Sequence, residues 1–133
     1  MPFRNLGIRS ITNEIVTGAA AEQTFNLSLD AAPPAPTIAV PAQHRLVITD
    51  VTVGGFPVST WRLQQTNNGA TFFDIGLFDN PGETNSKGST EYSPDTAWTV
   101  VGGTNVAIRM RVQTPDGADE VLCTIRAQEQ STD

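Results

Sequence analysis

Apolar and polar residues alternate along much of the chain, which is the period-two pattern of strands that bury one face. The segments that show this pattern are Thr24–Leu29, Trp61–Gln64, Val106–Val112 and Val121–Ala127. Phe73, Ile75 and Leu77 follow the same rule, so we predict that they share one face of a further strand. No segment has a convincing amphipathic helical period. The pattern therefore predicts an all-β protein.

A longer apolar segment, Arg45–Val53, predicts an extended strand. Strict alternation places Leu46 and Ile48 on one face and Val47, Val51 and Val53 on the opposite face. The segment Leu6–Val16 is less regular but rich in Ile and Thr, and it predicts one or two strands.

Turn residues separate these strands at Asn67–Gly69, Gly102–Gly103 and Pro115–Gly117. Repeated turns between short strands favour an antiparallel sandwich or barrel, and we predict a jelly-roll β-sandwich of about eight strands. An immunoglobulin-type sandwich is the alternative, although it usually brings a Cys-Trp-Cys arrangement and this chain has one cysteine. Residues 31–41 carry four prolines and predict a stiff connection or edge segment, whereas residues 80–94 predict a long polar loop.

The chain of 133 residues is long enough for one hydrophobic core, so we expect a single domain. We assign residues 16–133 to a β-sandwich domain and residues 1–15 to an N-terminal arm, which either extends from the domain or forms its first strand. The arm has more apolar side chains than a free tail needs. We predict that four of them contact a neighbouring protein: Phe3, Leu6, Ile8 and Ile11.

The charge balance narrows the range of partners. Charged residues make up 17% of the chain and the net charge is −6, with no basic cluster, so we expect neither a nucleic-acid nor a membrane partner. The first residues lack a signal-peptide pattern, which predicts synthesis in a cytoplasm. Polar positions are filled mostly by Thr, Ser, Asn and Gln. Such a neutral exterior suits contact with other proteins.

Candidate chemistry is sparse. Cys123 lies in phase with apolar neighbours and is predicted to be an inert core thiol, and His44 is predicted to be an edge residue. One Cys and one His do not make a zinc site, and we expect no metal, no cofactor and no catalytic residues. Acidic residues of two loops are the remaining candidates, for glycoside hydrolysis or calcium binding: Asp74, Asp79, Glu83, Asp116, Asp119 and Glu120. We interpret them chiefly as solubilising charges.

The residues Asp79, Glu83, Lys87 and Tyr92, in and beside the 80–94 loop, form a candidate ligand-binding loop. Tyr92 is the aromatic side chain that we expect to be exposed there. This loop motivates an alternative function, that of a carbohydrate- or receptor-binding module on a phage tail or a bacterial surface. An enzyme such as a small glycosidase ranks last, because the sequence offers no paired carboxylates.

The segment Val40–Val53 resembles the strand opening of small jelly-roll proteins, in which a Pro-Ala-Gly-like turn leads into an Arg-Leu-Val-Ile strand. Gln43 stands here in place of the glycine. The segment Pro94–Arg109 resembles the matching late hairpin. The resemblance is to capsid cement and decoration proteins of tailed bacteriophages. It implies a structural protein on the outer surface of the virion, made in the host cytoplasm, that stabilises the head by binding the major capsid protein and copies of itself as a homotrimer.

Overall fold

A computed structural model of the chain describes residues 2–16, 21–82, 88–93, 98–115 and 119–132. Its strands are β1 Arg4–Val16, β2 Gln23–Phe25, β3 Ser28–Leu29, β4 Ile38–Ala39, β5 His44–Gly55, β6 Ser59–Thr66, β7 Phe72–Asn80, β8 Gly88–Tyr92, β9 Trp98–Val101, β10 Ala107–Gln113 and β11 Glu120–Ser131. The predicted all-β class is confirmed. No helix long and apolar enough to cross a membrane occurs in the described ranges.

The strands form two antiparallel sheets. The first sheet has the order β3-β1-β11-β5-β8, and β9 also pairs with β5 beyond the end of β8. The second sheet has the order β2-β10-β6-β7, and β4 pairs with β10. Eleven strands are described, several of them only two or three residues long, where the sequence predicted about eight.

The hydrophobic core lies between the two sheets. Its largest fully buried side chains are Trp61, Phe25, Ile11, Leu27, Ile48, Leu63, Ile108, Met110 and Ile125. In β10 and β11, residues that face the core alternate with partly or fully exposed ones, as the sequence predicts. The rings of Trp61 and Phe25 pack edge to face, with their centroids 5.0 Å apart. This contact joins β6, in the middle of the second sheet, to the edge strand β2.

In β5 the predicted distribution of side chains between faces is wrong. Leu46, Ile48, Val51 and Val53 are all buried on the same side. The cause is a β-bulge, because Ala127 pairs with Ile48 whereas its neighbour Arg126 pairs with Asp50. The residue between them is extra, so it shifts the alternation by one position and returns the two later valines to the core.

In β7 a second bulge overturns the prediction that Phe73, Ile75 and Leu77 share one face. Leu77 is 68% exposed, and the buried aromatic side chain of this strand is Phe78. The register shifts where Gly76 pairs with Leu63. A Cβ atom at Gly76 would lie 2.7 Å from Cζ of Phe78, so this position has room only for glycine.

The 80–94 segment is not a continuous loop. Residues 88–92 form β8, which pairs with β5, while residues 83–87 lie outside the described ranges. The expected hairpin across Gly102–Gly103 is wrong as well, because β9 pairs with β5 in the first sheet and β10 belongs to the second. That turn therefore carries the chain from one sheet to the other.

The N-terminal segment is part of the first sheet. Residues 4–16 form β1, which pairs with β11 along its whole length and with β3 at Ile11 and Thr12. A bulge near the start of β1 includes Gly7, whose φ of +123° favours glycine.

Candidate functional site: the outer face of the first sheet

The outer face of the first sheet carries an apolar patch, which we define as Phe3, Ile8, Val47 and Val101. Ile8 is 74% exposed and Val101 is 61% exposed. The register places Ile8 and Val47 on either side of Gln128 of β11, so they lie in one row across three strands. Isolated exposed apolar side chains are common, but a group from neighbouring strands is typical of a contact surface.

A ladder of polar side chains supports this patch. Nε2 of Gln130 donates a hydrogen bond to Oδ1 of Asn5 at 3.0 Å, and Nε of Arg45 donates one to Oε1 of Gln130 at 2.6 Å. The guanidinium of Arg45 stacks on the ring of Phe3, with Cζ 3.8 Å from the ring centroid. The stacking holds Phe3 over the sheet although this residue precedes β1.

The four side chains predicted as protein contacts have different environments. Phe3 and Ile8 belong to the apolar patch, and Leu6 is half-buried at the bulge of β1. Ile11 is fully buried in the core. A side chain with no exposed surface cannot contact a partner while the sheet is intact, so the prediction for Ile11 is corrected and this residue is assigned to the core.

A polar groove lies beside the patch on the same face. It has a volume of about 470 Å³, and its lining residues are Asp50, Thr52, Glu91, Thr124 and Arg126. A smaller hollow of about 220 Å³ connects the two features, because Ile8, Asp50 and Arg126 all line it. The groove lies where the sheet changes its edge strand from β8 to β9 along β5.

Hydroxyl groups position the acidic side of the groove. Oγ of Ser93 donates a hydrogen bond to Oδ1 of Asp50 at 2.6 Å, and Oγ1 of Thr49 donates one to Oδ2 at 3.1 Å. These two bonds, with that from Ser93 the stronger, hold the pKa of Asp50 below its usual value. Ser93 also lies 3.5 Å from Oε1 of Glu91. Sequence analysis does not identify Asp50 and Glu91 as neighbours, because Glu91 belongs to the segment predicted as a loop.

The predicted ligand loop does not form a site in the described part of the chain. Tyr92 is half-buried, and its ring packs edge to face on Phe78 with centroids 5.0 Å apart. Its hydroxyl donates to the backbone carbonyl of Asp79 and accepts a bond from the backbone N–H of the same residue. The predicted exposure of Tyr92 is therefore wrong. Glu83 and Lys87 lie outside the described residues.

A charged cluster lies where β1, β5 and β11 meet, on the face of the first sheet opposite to the apolar patch. Nδ1 of His44 lies 2.7 Å from Oε2 of Glu129, and Nε of Arg9 donates to Oε1 of the same carboxylate at 2.7 Å. Burial acts to raise the pKa of Glu129, but the bonds from Arg9 and His44 outweigh it and the pKa is lowered. Oδ2 of Asp30 lies 3.5 Å from Nη1 of Arg9.

Cys123 and His44 do not form a catalytic pair. Cys123 is fully buried, as predicted, and burial raises the pKa of its thiol. Cys123 pairs with Val53 and His44 pairs with Ser131, so the two lie about 25 Å apart along the sheet.

Two of the other predicted carboxylates, Asp74 and Asp119, have local partners. Asp74 accepts hydrogen bonds from Arg62 and Gln64, and Asp119 accepts one from the backbone N–H of Glu120. Asp116 lies outside the described residues. Within the described ranges, no three His, Cys, Asp or Glu side chains lie close enough together to hold a metal ion.

Comparison of the chain with models of known protein families found no match, and comparison with curated protein sequences found none.

Proposed function

We propose that this protein is a structural module of the jelly-roll type that binds neighbouring protein subunits through the outer face of its first sheet. In this proposal it is a cement or decoration protein on the outside of a phage capsid, where it contacts the major capsid protein and copies of itself, as a homotrimer. The observation that carries the proposal is the apolar patch, in which Ile8 and Val101 expose most of their surface.

The order of the strands supports a jelly roll. Antiparallel pairs are nested along the chain: β1 pairs with β11, β2 with β10, β5 with β8 and β9, and β6 with β7. Pairing the first strand with the last and the second with the next to last is what rolling one long antiparallel ribbon into two sheets produces. The very short strands β3 and β4 extend this pattern at the edges.

The chemistry of the patch supports a protein partner. Its side chains are apolar or aromatic, with the guanidinium of Arg45 and the amide of Gln128 among them. Aromatic and arginine side chains are enriched at protein interfaces, and interfaces place apolar residues inside a polar rim. The resemblance of Val40–Val53 to capsid-associated jelly rolls suggests the virion as the setting.

Light scattering of the purified protein tests the proposed interface. We expect a trimer in solution, and we expect Ile8→Asp to weaken association or binding to a capsid partner without unfolding the domain, because a charge replaces an exposed apolar contact. Leu77→Asp is the matched control, since Leu77 on the other sheet is exposed to a similar extent. A monomer whose partner binding survives Ile8→Asp contradicts the proposed surface.

The genomic setting tests the virion assignment separately. A major capsid or portal gene beside the coding sequence would support it. A coding sequence within a metabolic operon would contradict it.

The polar groove supports a second candidate function, recognition of a carbohydrate or receptor glycan. Sugar hydroxyls both donate and accept hydrogen bonds, and the groove offers carboxylates at Asp50 and Glu91 and a guanidinium at Arg126. Its volume is in the range of small-ligand sites. Titration of the labelled protein with maltose, lactose and chitobiose, followed by NMR, tests this function. Saturable shifts confined to the groove support it, and their absence at millimolar sugar rejects it for these ligands.

A further inference from the structure

The outer face of the second sheet carries three arginines on two adjacent strands, Arg62 on β6 and Arg109 and Arg111 on β10. The register brings Arg62 directly opposite Arg111 and Arg109 directly opposite Gln64. Such a concentration of cations is unusual for this chain, whose net charge is −6.

Two carboxylates neutralise two of these arginines. Glu22 accepts a hydrogen bond from Nε of Arg62 at 2.7 Å and a second bond from Nη2, and it lies 3.4 Å from Nε of Arg111. Asp74 accepts from Nη1 of Arg62 at 3.2 Å. Arg62 and Arg111 therefore share the available negative charge. Arg109 has no carboxylate partner among the described residues, so one positive charge on this face is not balanced locally.

The guanidinium of Arg109 is held in a fixed orientation. Its Nε donates to Oε1 of Gln64 at 2.8 Å, and its Cζ lies 3.6 Å from the ring centroid of Phe72. Gln64 is 4% exposed, and its own Nε2 donates to Oδ1 of Asp74 at 2.9 Å. The side-chain amide of Gln64 is thus bound to Asp74 through its nitrogen and to Arg109 through its oxygen, which fixes the orientation of Arg109.

The two terminal nitrogens of Arg109 are not used by this network. Neither Nη1 nor Nη2 makes a hydrogen bond within the part of the chain that the structure describes, and the side chain is half-buried rather than enclosed. Burial and the neighbouring charges of Arg111 and Arg62 disfavour the cationic form of Arg109 and outweigh the attraction of Glu22, so the pKa of Arg109 is lowered. A bound anion would relieve the repulsion among the three cations.

We propose that Arg109 is a receptor for a carboxylate group, which binds its terminal nitrogens while Gln64 and Phe72 hold the guanidinium plane. A planar guanidinium whose two terminal nitrogens are both free matches a carboxylate in bidentate geometry. The local excess is a single positive charge within an acidic domain, which favours a monoanion over a phosphate dianion. This proposal is independent of the function proposed for the first sheet.

Acetate is the probe that tests the receptor, with chloride at the same ionic strength as the reference. We expect the Nε–Hε NMR signal and the backbone amide signal of Arg109 to shift saturably with acetate and not with chloride. Arg109→Lys keeps the charge but removes the fork, and it should weaken acetate binding about tenfold. Arg126→Lys, on the outer face of the first sheet, is the matched control and should leave acetate binding unchanged.

A second variant keeps the test decisive if Arg109→Lys does not fold. Phe72→Leu removes the stacking surface but keeps the arginine, and it should weaken acetate binding several-fold. Equal shifts with acetate and chloride, no saturation, or undiminished binding in both variants would overturn the proposal.

Sedimentation distinguishes the possible sources of the carboxylate. Self-association that acetate or Arg109→Lys abolishes assigns the carboxylate to a second copy of the chain. A monomer that still binds acetate assigns it to a different molecule. Both results support the receptor, because both require Arg109 to bind a carboxylate.

Discussion

The two outer faces of the sandwich use their charged side chains differently. On the second sheet, Arg62, Glu22 and Arg111 are bound to one another, so most of the charge is neutralised within the face. On the first sheet, the guanidinium of Arg126 has no hydrogen bond or ion pair with another described residue, and Glu91 has one long contact with Ser93. The first face therefore has groups that are free to bind something else.

This difference indicates that charged groups bonded to one another serve stability, whereas unbonded charged groups are available for recognition. A face whose polar groups are bound to one another stabilises the pairing of its own strands, here β2 with β10 and β10 with β6. On the first face, the exposed side chain of Ile8 and the unbonded guanidinium of Arg126 contribute little to folding but are available to a partner. Substitutions in the bonded network of Glu22, Arg62 and Arg111 should consequently change stability. Substitutions of groups outside such a network, which are Arg126 and Glu91 on the first face and Arg109 on the second, should mainly change binding.

The largest effect is expected within β1, where Ile11 faces the core and Ile8 faces outwards. Ile11→Ala should lower the free energy of unfolding by about 2–5 kcal/mol, because it leaves a cavity in the core. Ile8→Ala on the same strand should change it by less than about 0.5 kcal/mol. Urea denaturation measures both. An equal loss of unfolding free energy in the two variants would contradict this expectation. It would mean that Ile8, on the outer face of the first sheet, contributes as much to folding as Ile11 in the core.

The sequence predicts this contrast only in part. Regular strands such as Ala107–Gln113 and Glu120–Ser131 follow period two, so their core residues could be identified from the pattern alone. In β5 the alternation fails at Thr49, because an inserted residue at a bulge moves every later side chain to the other face. Neither Thr49 nor Asp50 is a residue type that signals a bulge, so the error could not be avoided without the pairing register.

The candidate site was still harder to predict. Glu91 and Tyr92 belong to a strand whose composition is polar, and it forms because β5 offers it a partner rather than because of its own β-propensity. The period-two pattern of Val106–Val112 predicts that Arg109 faces away from the core. Its stacking on Phe72 depends on a contact across the sheet that the spacing of residues along the chain does not encode.

An intermediate effect is expected for Glu22→Gln in the charge network of the second sheet. This change weakens the bonds to Arg62 and Arg111 and should lower the free energy of unfolding by about 1 kcal/mol at neutral pH. The bonds from Arg62 lower the pKa of Glu22 from its usual 4.5. Its contribution is therefore present above that value and is lost as the pH falls through the lower pKa of the folded state.

Urea denaturation at neutral pH and at about pH 3 measures this dependence. We expect the difference in stability between the original protein and the Glu22→Gln variant to shrink on acidification. A difference that stays constant between the two pH values would show that the network does not depend on the charge of Glu22.

The smallest effect is expected for the same substitution on the opposite face. Glu91→Gln should change the free energy of unfolding by less than about 0.5 kcal/mol, because Glu91 is exposed and its contact with Ser93 is long. Removing one negative charge from the groove should nevertheless change the affinity for any ligand that binds there. Paired measurements on Glu22→Gln and Glu91→Gln compare the two faces with identical chemistry. A loss of stability at Glu91 as large as that at Glu22 would mean that the groove, too, is held together by its own charges.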